Sequence, residues 1–223
     1  MPGLPLTVPT AALHWRECRQ ASERAQLEAF IAATYRRQHG AELNQFAPRL
    51  YGLWDADQLQ AAVGVRLAGD APLYLERYLS EPVECLLARE LDTPVARHAL
   101  AEIANLATLR PGLAVPLIRH LIDSLVAEGC GWLTFTATAA VRNGFRRLGL
   151  DVRRLGDADP AHLDAHERER WGNYYLHRPW VMGGDLIKAW RRLDPSREVA
   201  HPDGPAPLTV TAQGCHHKVD PHA

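Results

Sequence analysis

Apolar residues recur with helical spacing through 115–128, where Ile118, Leu121, Ile122 and Leu125 fall at i, i+3, i+4 and i+7. Pro116 sits in the opening turn, where a missing N–H costs little, and Gly129 and Gly131 end the run. The segment before it, from Ala101 to Thr108, is apolar and strand-like, and Trp132–Thr136 alternates β-branched and aromatic residues. The unit reads strand, glycine turn, helix, strand. Such a unit requires a right-handed crossover and a partly parallel sheet.

Other stretches give coarser elements. Leu13–Glu17 reads as an edge strand. Ser22 is the expected N-cap of a helix reaching about Gln38, with Leu27, Phe30, Ile31 and Thr34/Tyr35 on one face and Gly40 near its end. Leu50–Trp54 and Ala61–Leu67 read as strands of a hairpin across the polar Asp55–Gln58. Leu73–Leu100 mixes periods and is interrupted by Pro82 and Pro94, so it is either a lid or packed helix and loop. Val152–Leu155 and Asn173–Met182 are expected to form a last antiparallel pair, followed by Gly183-Gly184 and a short helix through Arg192. Beyond Pro195 the chain is rich in Pro, Gly, His and charge, which predicts a domain over 1–194 and a disordered tail over 195–223.

Composition narrows the function classes. The 223 residues are 47% hydrophobic, enough for a sizeable core. With 25 Lys+Arg against 26 Asp+Glu, the net charge is −1, which gives no general attraction to nucleic acid or anionic lipid. No stretch approaches the ~20 apolar residues of a membrane span, and the first ten residues lack the basic start of a secretory signal. Cys18, Cys85, Cys130 and Cys215 are widely separated with no C-x-x-C, so neither a zinc knuckle nor a disulfide framework is indicated, and a cytoplasmic setting suits them.

Familiar catalytic words are missing. There is no G-x-G-x-x-G, no glycine-lysine phosphate loop and no G-x-S-x-G elbow. His162 and His166 share i, i+4 spacing beside Asp164 and Glu167, but the stretch is polar and reads better as a solvated helix, so no metal is expected. Arg142, Arg146, Arg147, Arg153 and Arg154 cluster locally, either to meet a nucleotide phosphate or an acidic carrier protein, or as a solvated face.

The glycine turn offers chemistry of its own. Glycine lets the backbone approach a ligand, and the first turn of the next helix leaves donors unpaired at a positive dipole end, so a pyrophosphate could sit on Gly112, Leu113, Ala114 and Val115. Gly112-Leu113-Ala114 resembles the second half of the Q/R-x-x-G-x-G/A signature of the GNAT acyltransferase superfamily, with Leu109 at its first position and Arg110 one residue late. Phe145 stands where that superfamily often carries a tyrosine acid, and a phenyl ring cannot donate a proton.

A fuller resemblance is to the thermostable haemolysin family, a branch of proteins with a GNAT-like fold. Its words are Gly64–Arg66, Pro72–Leu79, Glu102–Ala107, Trp132–Thr136, Arg142–Leu150 and Trp171–Tyr175, in order through about the middle two-thirds of the chain. The layout also resembles the acyl-homoserine-lactone synthases. These resemblances imply an α/β fold, a mixed and partly splayed sheet flanked by helices, with a cleft where strands 101–108 and 132–137 diverge. They imply transfer of an acyl group from acyl-CoA or an acyl carrier protein to an amine-bearing small molecule.

The same resemblance implies a site. Glu102 is the expected base for the ammonium, unless it is exposed or paired with an arginine. Asn105 either orients substrate or plugs the split in the sheet. Tyr174 is the candidate acid for the leaving thiolate; as its neighbour on a strand, Tyr175 would face away, and a thiol leaves readily without an acid. Main-chain N–H groups of Leu106 or Ala107 would serve the oxyanion. Arg110, Gly112, Leu113, Ala114, Val115, Asn143 and Arg146 would hold the cofactor. The Leu-rich, aromatic stretch Leu73–Leu87 would take a chain longer than acetyl. Two rivals stand beside this reading: a cytolytic protein, as the family name implies, and an acyl-binding module without catalysis, suggested by Leu109 and Phe145.

Overall fold

The computed structural model describes residues 13–194. Seven strands form one sheet: β1 (Leu13–Glu17), β2 (Arg49–Asp55), β3 (Gln58–Leu67), β4 (Leu100–Thr108), β5 (Trp132–Ala137), β6 (Val152–Asp157) and β7 (Trp180–Asp185). Their spatial order is β1-β2-β3-β4-β5-β7-β6, and β4 with β5 is the parallel pair among antiparallel ones. Among the described residues six helices flank it: α1 (Ala21–His39), α2 (Val83–Leu91), α3 (Ala114–Ala127), α4 (Ala139–Arg147), α5 (Ala165–Arg170) and α6 (Leu186–Leu193). None of these helices is long and apolar enough to cross a membrane.

The crossover read from the sequence is β4, a glycine turn, α3 and β5. The apolar face of α3 buries Leu117, Ile118, Leu121, Ile122 and Leu125 against Val63, Val65 and Ile103 of the sheet and Leu186 and Leu193 of α6. On the other sheet face the core is divided. Leu27 and Ile31 of α1 cover Leu50, Ala62 and Ala107, whereas Leu75, Val83 and Leu87 cover Leu100 and Val181. Between these two apolar patches lies the cavity described below.

The sheet splits where expected. Pairing of β4 with β5 runs from Leu100↔Trp132 to Ile103↔Phe135 and stops there, although β4 continues to Thr108 and β5 to Ala137. Two irregularities turn β4 away: a register shift against β3 between Ala62 and Gly64, and the left-handed backbone of Asn105 at φ +53°. The β2–β3 hairpin also matches, with a two-residue turn in which Ala56 takes φ +49°.

Three expectations need correction. Helix α1 begins one residue before Ser22, with Gln20 at the N-cap and no side-chain cap, so Ser22 lies inside the first turn. Tyr174 and Tyr175 are not on a strand; they open a 3-10 turn, Tyr174–His177, and the strand starts only at Trp180. Gly183 and Gly184 lie inside β7, because the Leu87 side chain and the Asp151 carbonyl approach their Cα atoms so closely that a Cβ would meet them at 2.9 and 2.7 Å. Cys18 and Cys130 are free thiols, as the sequence spacing led one to expect. The stretch Leu73–Leu100 resolves into a 3-10 turn, Tyr74–Tyr78, and α2, with Leu75 and Leu87 wholly buried, which makes it packed structure. The tail expected over 195–223 lies outside the described residues.

Candidate active site

Glu102 sits on β4 directly across from Arg66 of β3 in the antiparallel register, so both side chains share a face. That face opens on a cavity of about 230 Å³, roofed by the end of α1 and residues 42–45 and walled by Tyr74, Tyr78, Trp171, Tyr174 and Tyr175. Glu102 is only 2% exposed. One carboxylate oxygen, Oε2, accepts the Tyr74 amide at 2.7 Å, where the 3-10 turn begins and its first N–H lacks a helical partner. Burial disfavours the carboxylate form and raises its pKa to about 7, against the pull of Arg66 and the Tyr74 and Leu75 amides. A carboxyl poised near neutrality is suited to taking a proton from an ammonium.

A second cavity of about 180 Å³ lies beyond the split, lined by Gln38, His39, Leu106, Phe135, Thr138, Val141 and Phe145 among others. The two share Tyr35, Ile103, Ala104, Asn105, Thr136 and Tyr174, so they meet where β4 and β5 part. Thr136 lies one residue past the last β4–β5 pair, and its Oγ1 is buried with no hydrogen-bond partner among the described residues. His39 Nδ1 is in the same condition. Buried polar atoms without partners carry a free-energy cost that a bound polar group would relieve.

The expected residues divide into two groups. Glu102, Asn105 and Tyr174 converge on the first cavity, and Asn105, Leu106 and Tyr174 on the second. Asn105 Oδ1 accepts the Ala47 amide at 2.9 Å, so its acceptor holds the roof over the cavity while its left-handed backbone bends the strand. Tyr174 is buried, with its ring edge-on to His39 and Tyr175, and burial holds its hydroxyl pKa well above the ordinary value. Tyr175 does not face away: it lines the first cavity and its hydroxyl lies 2.6 Å from that of Tyr78.

The second group lies apart from both cavities. Ala107 pairs with Ala62 and packs beneath α1. Arg110 and Gly112 are exposed on the turn, Leu113 is buried against α3's neighbours, and Ala114 and Val115 open α3. Gly112 takes φ +94° with open space around its Cα, and none of the Gly112–Val115 amides donates to a main-chain carbonyl outside α3 among the described residues. Asn143 and Arg146 are exposed on α4. Phe145, on the same helix, is buried with its ring stacked 4.4 Å from Phe135.

Of the basic cluster, Arg153 and Arg154 pair with Asp151 and Asp157, and Arg142 and Arg154 both lie over the Trp180 ring at 3.7 and 4.4 Å. His162 stands on a 3-10 turn and His166 on α5. Among the described residues no group of three or more His, Cys, Asp or Glu could hold a metal.

The family model described as thermostable hemolysin matches residues 18–190. The chain belongs to the thermostable hemolysin family. No curated protein matches it. Among solved structures, this thermostable hemolysin chain is similar to FeeM, an N-acyl amino acid synthase from uncultured soil microbes. The two share 16% identity over 83% of this chain and 97% of the other, with a TM-score of 0.59. It is similar to the AHL synthase LasI at 14% identity over 82% and 94%, with a TM-score of 0.55. BjaI, a CoA-dependent acyl-homoserine lactone synthase with SAM and isopentyl-CoA, matches at 13% identity over 83% and 89%, TM-score 0.51. The fold is the GNAT-like one implied by the sequence words.

Sequence reasoning missed Tyr35, Arg66, Thr136 and Trp171 as cavity residues, and it gave the Leu73–Leu87 stretch to the acyl chain, whereas Tyr74 and Tyr78 line the first cavity with Glu102 and no residue of that stretch lines the second. Most lie inside the stretches that carried the family resemblance, and an aromatic density of that kind in Tyr74–Tyr78 and Trp171–Tyr175 was the available signal.

Proposed function

We propose that this protein is an acyltransferase that moves an acyl group from acyl-CoA or an acyl carrier protein to an amine-bearing small molecule. The observation that carries the reading is Glu102: a buried carboxyl with a pKa near 7, on the wall of a cavity that joins a second one through the split between β4 and β5. The acceptor occupies the first cavity, its ammonium against Glu102. The acyl thioester lies in the split, beside Thr136 and Asn105. Glu102 takes a proton from the ammonium, the amine attacks the thioester carbonyl, the C–N bond forms, and the C–S bond breaks. The second amine proton leaves with the thiolate. The main-chain N–H of Leu106 serves the oxyanion, and Tyr174 donates toward the sulfur. Gly112–Val115, Arg110, Asn143 and Arg146, which lie outside both cavities, hold the phosphates of the carrier.

Similarity in fold to the N-acyl amino acid synthase and the lactone synthases supports the reaction class. The apolar residues lining the second cavity support an acyl chain longer than acetyl. Mass spectrometry of the protein incubated with a chain-length series of acyl-CoAs and acyl carriers, in a mixture of small amines, tests this. N-acylated product and free thiol are expected, and neither binding nor transfer across the series would contradict it.

The family's description carries a second reading, lysis of cells. Liposome leakage by the purified protein that persists in Glu102→Gln, with no acyl product from the wild type, is the outcome that would favour it.

A further inference from the structure

We propose that the acceptor is an α-amino acid, its carboxylate held by the Arg66 guanidinium while its amine faces Glu102. The inference rests on the acyl-transfer reading for its consequence but on the cavity alone for the binding step. Arg66 lines the same cavity as Glu102. It is half-buried, and its guanidinium carbon lies 5.6 Å from the centroid of the Tyr74 ring. Among the described residues no carboxylate stands within ion-pair distance of it. Glu102 directs Oε2 to the Tyr74 amide, and Glu167 is taken by the Tyr74 hydroxyl at 2.7 Å and by Arg77 at 2.6 Å. The other cationic side chain on the wall, Arg170, donates to the Glu42 carbonyl.

A guanidinium is a rigid fork of donors matched to a carboxylate, and its charge is costly to bury without an anion. Glu102 acts on Arg66 only at longer range than an ion pair, so the cavity presents one donor fork for a further anion and one carboxyl for an amine. Their separation is set by the sheet. Cross-strand partners hold their Cβ atoms about 5 Å apart, so the two recognised groups must be close neighbours in the ligand. An α-amino acid carries ammonium and carboxylate on a single carbon, whereas 4-aminobutyrate interposes three. The aromatic walls formed by Tyr74, Tyr78, Trp171 and Tyr175 accommodate the side chain.

Matched pairs of acceptors that differ only by the carboxylate test this: L-phenylalanine against phenethylamine, and L-leucine against isopentylamine, with 4-aminobutyrate as the displaced control. Transfer from decanoyl-CoA is followed by mass spectrometry, and binding of each compound to the protein without donor is followed by calorimetry. The wild type is expected to prefer the amino acid at least tenfold in kcat/KM and in affinity, with 4-aminobutyrate as poor as the amines. Arg66→Gln collapses the ratio toward one through KM, and Arg66→Lys, which keeps charge but not the fork, leaves an intermediate ratio. If Arg66 only tunes Glu102, Arg66→Gln moves the pH profile and slows every acceptor equally with the ratio intact, which overturns the proposal. Equal use or equal binding of amine and amino acid by the wild type does so as well. Amino-acid binding with the tenfold preference but no transfer from any donor leaves Arg66's role standing and removes the acyl-transfer reading instead.

Discussion

Gly172 lies against the carbonyl oxygen of His39 so closely that a Cβ on residue 172 would stand 2.2 Å from it. Around this contact the Asn173 amide donates to the same His39 oxygen at 2.8 Å, and the Glu42 amide donates to the Arg170 carbonyl at 2.7 Å. The end of α1 is thereby sewn to the segment that carries Trp171 and Tyr174, and the roof of the cavity is one hydrogen-bonded unit. Gly172 also takes φ +54°, a left-handed backbone that residues with a Cβ adopt at a cost.

Gly172→Ala is expected to destabilise the protein by more than about 2 kcal/mol, since the strain and a clash with main chain add. Gly112→Ala, at φ +94° but with open space around it, should cost only the about 1 kcal/mol of backbone strain. Thermal or urea unfolding of the two variants checks the contrast.

Asn105 is held by two requirements that different substitutions separate. Asn105→Gly keeps the left-handed backbone and loses the acceptor for the Ala47 amide, an expected cost of about 1–3 kcal/mol. Asn105→Ala loses both and should be the worse of the two by about 1 kcal/mol. Gly64→Ala should disturb the same contact from below, because its Cβ would lie 2.6 Å from the Ala47 Cβ and 2.9 Å from Asn105 Oδ1. Chemical denaturation of all three variants gives the order.

The pattern that made α3 legible was purely local: four apolar residues on one face, a proline at the start and glycines at the end. Strands β2 to β5 and the split between β4 and β5 followed from local pattern and family resemblance together. Where tertiary packing overrode propensity, the reading failed. Tyr174 and Tyr175 favour strand intrinsically, yet contacts with Tyr35, Trp171 and Tyr78 fold them into a turn, and Arg178 at φ +44° ends it. Gly183 and Gly184 read as a breaker, although a neighbouring side chain and carbonyl need the space inside a strand. Glu102 was legible as a candidate base, but the cavity around it was not, because its walls come from α1, the loop after it, β3, β4, the Tyr74 turn and α5, segments distant along the chain.

Glu102 gives stability a pH dependence of definite sign. Its pKa is raised from the ordinary carboxyl range to about 7 in the folded state, so between about 4.5 and 7 the native protein binds more protons than the unfolded chain. Stability from this group is full below the unfolded pKa and falls by a few kcal/mol as pH rises through 7. Glu102→Gln should remove that fall, becoming the more stable of the two proteins above pH 7. Denaturation midpoints across pH 4 to 9 measure it.

Glu76 slopes the other way. Arg97 reaches it through both terminal nitrogens, and the Leu73 amide donates to it at 2.9 Å, so its pKa is lowered chiefly by the Arg97 hydrogen bonds. Its contribution is present above the unfolded carboxyl pKa and is lost as pH falls through the folded one. Arg97→Ala should loosen the Tyr74–Tyr78 turn at a cost of about 1–2 kcal/mol, discounted for partial exposure. The loss should shrink when unfolding is measured below pH 4.

The most direct test of the account is the pH profile of acyl transfer, read as thiol release from acyl-CoA in the presence of amine, for wild type and Glu102→Gln side by side. The account predicts a wild-type rate that climbs with a midpoint near 7 as Glu102 loses its proton, and a variant slower by about 10²–10⁴ with that step gone. A variant that matches the wild type in rate and profile would contradict it.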